Sequence, residues 1–178
     1  MRSWVMNAAM AVGLVAGLQG CAQEKASPPV AASTETAAST PDKAGPLEGA
    51  WELIAAKSTP ADDTFPLDTE RQIKILTRTH WAFLSQQRKM PKMPGGSAAE
   101  WAAAAKSFSA GGGTYTLDGD TYSEHIEFFV SPKFVGTTIN FKITWNGDEW
   151  TQSGTLPLKS LGVADHDVDI QETYRRMQ

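Results

Sequence analysis

Polar and apolar side chains take turns through the middle of the chain. From Thr121 to Phe128, Tyr122, Ile126 and Phe128 fall on one face and Thr121, Ser123, His125 and Glu127 on the other. This two-residue period is that of a half-buried strand. Glu124 falls on the apolar face and breaks the pattern. Asp118-Gly119 separates this run from Tyr115-Thr116-Leu117 and suits the positive φ of a tight hairpin turn.

The same period recurs on both sides of this hairpin. In the run from Leu47 to Ile54, Trp51 and Leu53 share a face. A loop rich in Pro and Asp follows at 59–69, then a second pair of runs, Gln72 to Leu76 and His80 to Leu84. Ile139, Phe141, Ile143 and Trp145 face one way, and Thr138, Asn140, Lys142 and Thr144 the other. Asn146-Gly147 is a strong hairpin signal, and Glu149 to Thr155 return with Trp150 and Gln152 on one face. In the last run Val168, Ile170, Glu172, Tyr174 and Arg176 alternate with Asp167, Asp169, Gln171, Thr173 and Arg175.

One segment has a different character. Ser97-Ala98-Ala99-Glu100 has the form of a capping box, and the Ala-rich run beyond it favours a helix over 97–107. Trp101 is its expected apolar anchor, and Gly111 to Gly113 its expected end.

Eight mostly consecutive strands joined by hairpins can close into an up-and-down antiparallel barrel, which leaves no exposed edge. The alternative is a two-sheet sandwich, which would usually need long crossover connections. A barrel of eight strands is filled by its own side chains or holds one small ligand. The apolar face must point inward. That places Trp51, Tyr115, Leu117, Tyr122, Ile126, Phe128, Ile139, Phe141, Ile143, Trp150 and Tyr174 inside. The same rule carries Glu124, Gln152, Glu172 and Arg176 inward. A buried carboxylate needs a partner or a raised pKa. Arg176 can serve one Glu and the Tyr hydroxyls the other. Such a set either pins the barrel register or orients the polar group of a ligand. The candidate lumen residues are Tyr115, Tyr122, Glu124, Phe141, Gln152, Glu172 and Tyr174.

The remaining chemistry is sparse. His125 and Glu127 could form a metal pair, but alternation puts them outside. The facing of His80 is open, and His166 sits in an acidic loop, Asp165-His166-Asp167. No third ligand lies at a recognisable spacing, so no metal is expected. No nucleophile elbow, phosphate loop or dinucleotide fingerprint is present, and no cofactor is expected.

The N-terminal region reads as an address. Arg2 precedes an uncharged apolar segment, Trp4 to Leu18, the length of a signal-peptide core and short for a membrane span. Leu18-Gln19-Gly20-Cys21 follows and resembles the lipobox of bacterial lipoproteins. The resemblance implies removal of residues 1–20 and a three-chain acyl anchor on Cys21. The alternative is an ordinary secretory signal, with Cys21 a free thiol. Ala22 stands where an Asp would resemble an inner-membrane retention signal, so the expected location is the outer membrane, facing the periplasm. Residues 21–46 are rich in Ala, Ser, Thr and Pro without an apolar period and read as a flexible tether. About 130 residues then remain, 47–178, enough for one core. The 178-residue chain has a single Cys and a net charge of −4, which excludes an internal disulfide and argues against nucleic acid as a partner. A monomer is expected.

Gly49-Ala50-Trp51 resembles the Gly-x-Trp of lipocalins and the wider calycin group, and Arg176 resembles the basic residue that packs across that Trp. The stretches Gly112 to Tyr122 and Glu172 to Arg176 are also similar to an uncharacterised bacterial lipocalin-like domain family. The resemblance spans about 48–178 and implies an eight-stranded up-and-down barrel whose closed end is capped by Trp51 and Arg176. The helix near 97–107 departs from the usual lipocalin plan, in which the long helix follows the barrel.

Three function classes follow. The first is a membrane-tethered module binding a small, largely apolar ligand. The second is an interaction lipoprotein with a filled barrel. The third is a barrel enzyme using Glu124 as acid or base. The lumen decides among them: roughly 300 Å³ or more of open space favours binding.

Overall fold

The alternating runs form eight strands in a computed structural model that describes residues 45–178. The segment read as a signal peptide, Cys21 and nearly all of the tether lie outside the described residues. The strands are β1 (Gly49–Thr59), β2 (Glu70–Leu76), β3 (His80–Gln87), β4 (Phe108–Asp118), β5 (Thr121–Phe129), β6 (Thr138–Asn146), β7 (Glu149–Leu156) and β8 (Val168–Arg176). Each pairs antiparallel with the next, and β8 pairs with β1. The sheet is a closed up-and-down barrel, not a sandwich. Asp118-Gly119 and Asn146-Gly147 make the expected turns, with both glycines at positive φ.

The helix, α1 (Ala98–Lys106), begins as read. Ser97 Oγ accepts from the Glu100 amide while Glu100 accepts from the Ser97 amide. Its expected anchor fails. No residue of α1 is buried, and Trp101 is 64% exposed. The other apolar residues of the helix are alanines, whose small side chains offer little area to bury against the barrel.

The three glycines do not end the helix; they lie inside β4. A Cβ on Gly111 would fall 2.5 Å from the Phe129 ring and 2.7 Å from the Phe83 ring. A Cβ on Gly113 would meet the backbone at Glu127 N, 2.8 Å away. At this point the ladder slips: Gly113 opposes Ile126 and Gly112 opposes Phe128, leaving Glu127 as the extra residue of a bulge. A bulge reverses the facing of everything beyond it. Phe128, expected inside, is therefore 70% exposed. Phe129 takes the inward position and stacks on Phe134, centroids 4.5 Å apart.

The closed end has the geometry that the sequence resemblance implies. Trp51 and Arg176 are cross-strand partners, and the guanidinium carbon lies 4.1 Å from the indole centroid. Arg176 Nη1 donates to the Glu48 carbonyl and Nη2 to the Pro46 carbonyl. The indole Nε1 donates to the Leu47 carbonyl. Gly49 has φ +136°, and a Cβ there would stand 2.5 Å from Arg176 Nη1. The glycine thus makes room for the guanidinium. Contrary to the inward position that alternation predicts, Arg176 is exposed and serves no internal carboxylate; its donors are used on backbone carbonyls at the rim.

Trp51→Ala should cost about 3–5 kcal/mol, the range for a buried large aromatic, and Arg176→Ala less. In chemical denaturation the two losses should couple, because the side chains touch. Additive losses would show that Arg176 does not brace Trp51.

Candidate functional site

The interior is divided into two halves. The half next to Trp51 and Arg176 is filled around a lysine. On β2 the side chains of Gln72, Lys74 and Leu76 point inward, and Ile75 is 41% exposed. Outside, Ile73 stands opposite Leu84 and Ile75 opposite Ala82 on β3. Lys74 is only 3% exposed. Its ammonium donates to Glu124 Oε1 at 2.6 Å and to Gln152 Oε1 at 3.0 Å. The rings of Trp81, Tyr122, Trp150 and Tyr174 surround it, with centroids 5.0–5.6 Å from Nζ. A cation over an aromatic face gains about 0.5–2 kcal/mol, most when desolvated. Lys74 is thus the internal cation that Glu124 requires.

A second carboxylate continues the network. Gln152 Nε2 donates to Glu172 Oε2 at 2.8 Å, and the Tyr174 hydroxyl donates to the same oxygen at 2.7 Å. Gln72 Nε2 donates to that hydroxyl at 2.8 Å. Burial pushes the Glu172 carboxyl above the ordinary carboxylate range, against the opposing pull of Lys74. Burial also raises the Tyr122 and Tyr174 phenols well above the ordinary range, and the neighbouring carboxylates add to it. Among the described residues, the Tyr122 hydroxyl and the Trp150 Nε1 are buried without a hydrogen-bond partner.

Above this plug the barrel is open. A cavity of about 710 Å³ occupies the half away from Trp51. Phe83, Phe129 and Phe134 form one wall, their rings in successive contact at 5.5 and 4.5 Å. Leu156, Val168 and Ile170 line the side formed by β7 and β8. Gln72 and Glu172 reach the cavity from the plug, so they make its floor. The connection from β1 to β2 supplies an acidic rim that includes Asp62, Asp63 and Asp68. Gly111 contributes indirectly, because a larger residue there would force the Phe83 and Phe129 rings apart.

Of the seven lumen candidates, Glu172 lines this cup. Tyr122, Glu124, Phe141, Gln152 and Tyr174 are buried in the plug and the core around it. Tyr115 is half-buried, with its ring against Tyr122 and its hydroxyl donating to the Thr77 carbonyl. The pattern of the sequence missed Lys74, because Ile73 and Ile75 make the opposite face of β2 look like the buried one. A signal was available: Glu124 on an inward face called for a cation on a facing strand.

The histidines lie elsewhere. His125 is exposed on the outer face, its ring 3.2 Å from the Thr138 hydroxyl. His80 is exposed beside the Thr79 hydroxyl. His166 is not simply solvated. Its ring joins Asp63 at 2.8 Å and Asp165 at 2.6 Å, which ties the β7–β8 connection to the cup rim. Both carboxylates raise its pKa, Asp63 the more strongly. Among the described residues no group of three or more His, Cys, Asp or Glu is placed to hold a metal ion.

No protein-family model matches this chain, and a search of curated proteins finds no match.

Removing one partner of a buried pair strands the other charge, so Lys74→Met should cost about 3–5 kcal/mol. Lys74→Met with Glu124→Leu should recover much of that loss, since both charges go together. Thermal melts of the single and double variants check it. A mild single variant would show that Glu124 does not depend on Lys74.

Proposed function

We propose that this chain is a lipid-anchored, lipocalin-like binding protein whose barrel takes up a small, largely apolar molecule. The observation that carries the reading is the cup. Its volume of about 710 Å³ lies within the range of small-molecule sites, and apolar side chains including Phe83, Phe129, Phe134 and Ile170 share its lining with polar groups at the floor and rim. The interaction reading needs a filled barrel, and only the half around Lys74 is filled. The enzyme reading needs Glu124 within reach of a substrate. That carboxylate is buried against Lys74 and does not line the cup. The barrel and its Trp51–Arg176 closure support the lipocalin-like assignment. Leu18-Gln19-Gly20-Cys21 after an apolar segment supports the anchor, and several acyl chains on Cys21 would make release from the membrane very slow.

The cup is tested with a neutral solvatochromic dye such as Nile red. Purified protein should take it up with a blue-shifted emission. Ser109→Trp, which places a ring into the cavity, should weaken that uptake about tenfold or more while the melting temperature changes little. Uptake that is indifferent to Ser109→Trp would place the dye elsewhere and defeat the reading.

The anchor is tested separately. Cys21→Ser should abolish labelling by a radioactive fatty acid and remove the mature protein from the membrane fraction. Mature, membrane-bound Cys21→Ser protein would rule out acylation at this residue.

A further inference from the structure

The cup is apolar along its walls and acidic where it is charged. Its charged lining comprises Asp62, Asp63, Asp68, Glu70 and Glu172 against Lys57. Asp63 is already engaged by His166, and Asp62 and Asp68 stand in solvent. Glu70 and Glu172 differ from these. Glu70 is half-buried on β2 beside the Ser85 hydroxyl, and burial raises its carboxyl above the ordinary range. Glu172 stands on the floor, at the boundary with the filled half.

The charge balance below the cup is uneven. Lys74 brings one positive charge, and Glu124 and Glu172 bring two carboxylates. The lysine is committed to Glu124 at 2.6 Å and to Gln152. Glu172 receives only neutral donors, the Gln152 amide and the Tyr174 hydroxyl, and both fall on Oε2. Among the described residues, Oε1 accepts no hydrogen bond, and the residue lines the cavity. A half-buried carboxylate that lines the chamber and receives only neutral donors has no cation in hydrogen-bond contact.

We propose that the cup selects cationic amphiphiles, molecules with an apolar chain or ring and an amine or ammonium head, and that Glu172 receives the head. The inference rests on the reading of the cup as a binding site and names its ligand class. The head would complete the charge of the Lys74–Glu124–Glu172 group. The apolar part would lie along Phe83, Phe129 and Phe134. The acidic rim favours entry of a cation over an anion through its field, which salt weakens. An anionic amphiphile of the same length would bring its carboxylate against Glu172 and meet repulsion in a region of low dielectric.

The experiment displaces Nile red from the full chain with decylammonium, decanol and decanoate, all below their micellar concentrations. Decylammonium should displace the dye at about tenfold lower concentration than decanoate or better, with decanol between them. In Glu172→Gln protein the preference should shrink to within about threefold while Nile red still binds. If that variant does not fold, Glu70→Gln gives the second measurement, with a partial loss of preference expected. Equal displacement by the two charged heads, or a preference for decanoate, would overturn the proposal and leave the apolar cup standing. A cation preference that survives Glu172→Gln intact would overturn it too, since the net negative charge of the protein would then suffice. Failure of Nile red to bind at all would remove the cup reading and this inference with it.

Discussion

The Lys74–Glu124 ion pair divides the barrel. Both side chains are buried, and the 2.6 Å contact gives each a partner of opposite charge. Four aromatic rings close around the ammonium, and two glutamine side chains extend the network to Glu172. These rings and glutamine side chains are all buried and occupy that half. The open half begins where the network ends. The cup thus has a rigid polar floor, built by the same contacts that hold the register of β2, β5, β7 and β8.

The two ends of the barrel solve different problems. At one end, Arg176 covers Trp51 and uses its remaining donors on the carbonyls of the entering chain. That seals the core from water. At the other end the walls must stay apart. Phe83, Phe129 and Phe134 stack along one side and hold the surface open, and the bulge at Glu127 brings Phe129 rather than Phe128 to that wall. A glycine is required at both places: Gly49 admits the guanidinium, and Gly111 admits two phenyl rings. His166 adds a tie across the mouth by joining the β7–β8 connection to Asp63.

On the reading proposed, the chamber combines an apolar wall with an acidic rim and floor, and its floor acid, Glu172, is held by neutral donors. The carboxylate with the strongest partner, Glu124, is sealed behind the floor. Affinity would come from the apolar walls, and discrimination from the charge at the bottom.

Much of this architecture was legible in the residues. Alternation marked all eight strands, Asp118-Gly119 and Asn146-Gly147 marked two hairpins, and Ser97 with Glu100 marked the helix start, because these are local properties of the chain. Gly49, Trp51 and Arg176 pointed to the closed end through a resemblance. The lipobox-like run ending at Cys21 is a statement that only the sequence makes. Tertiary structure decided the rest. The facing of β2 could not be read locally, since Ile73 and Ile75 form as good an apolar stripe as Leu76; closure of the barrel chose the face that brings Lys74 to Glu124, fifty residues away in the chain. The exposure of Phe128 followed from a single extra residue opposite Gly112 and Gly113, and a strand's own alternation carries no record of a bulge set by its partner. Trp101 stayed in solvent because an apolar ring is buried only where a second surface packs over it, and no residue of α1 is buried. The cup is likewise a property of the assembled walls: its volume is the space left where the eight inward faces do not fill the barrel to its open end.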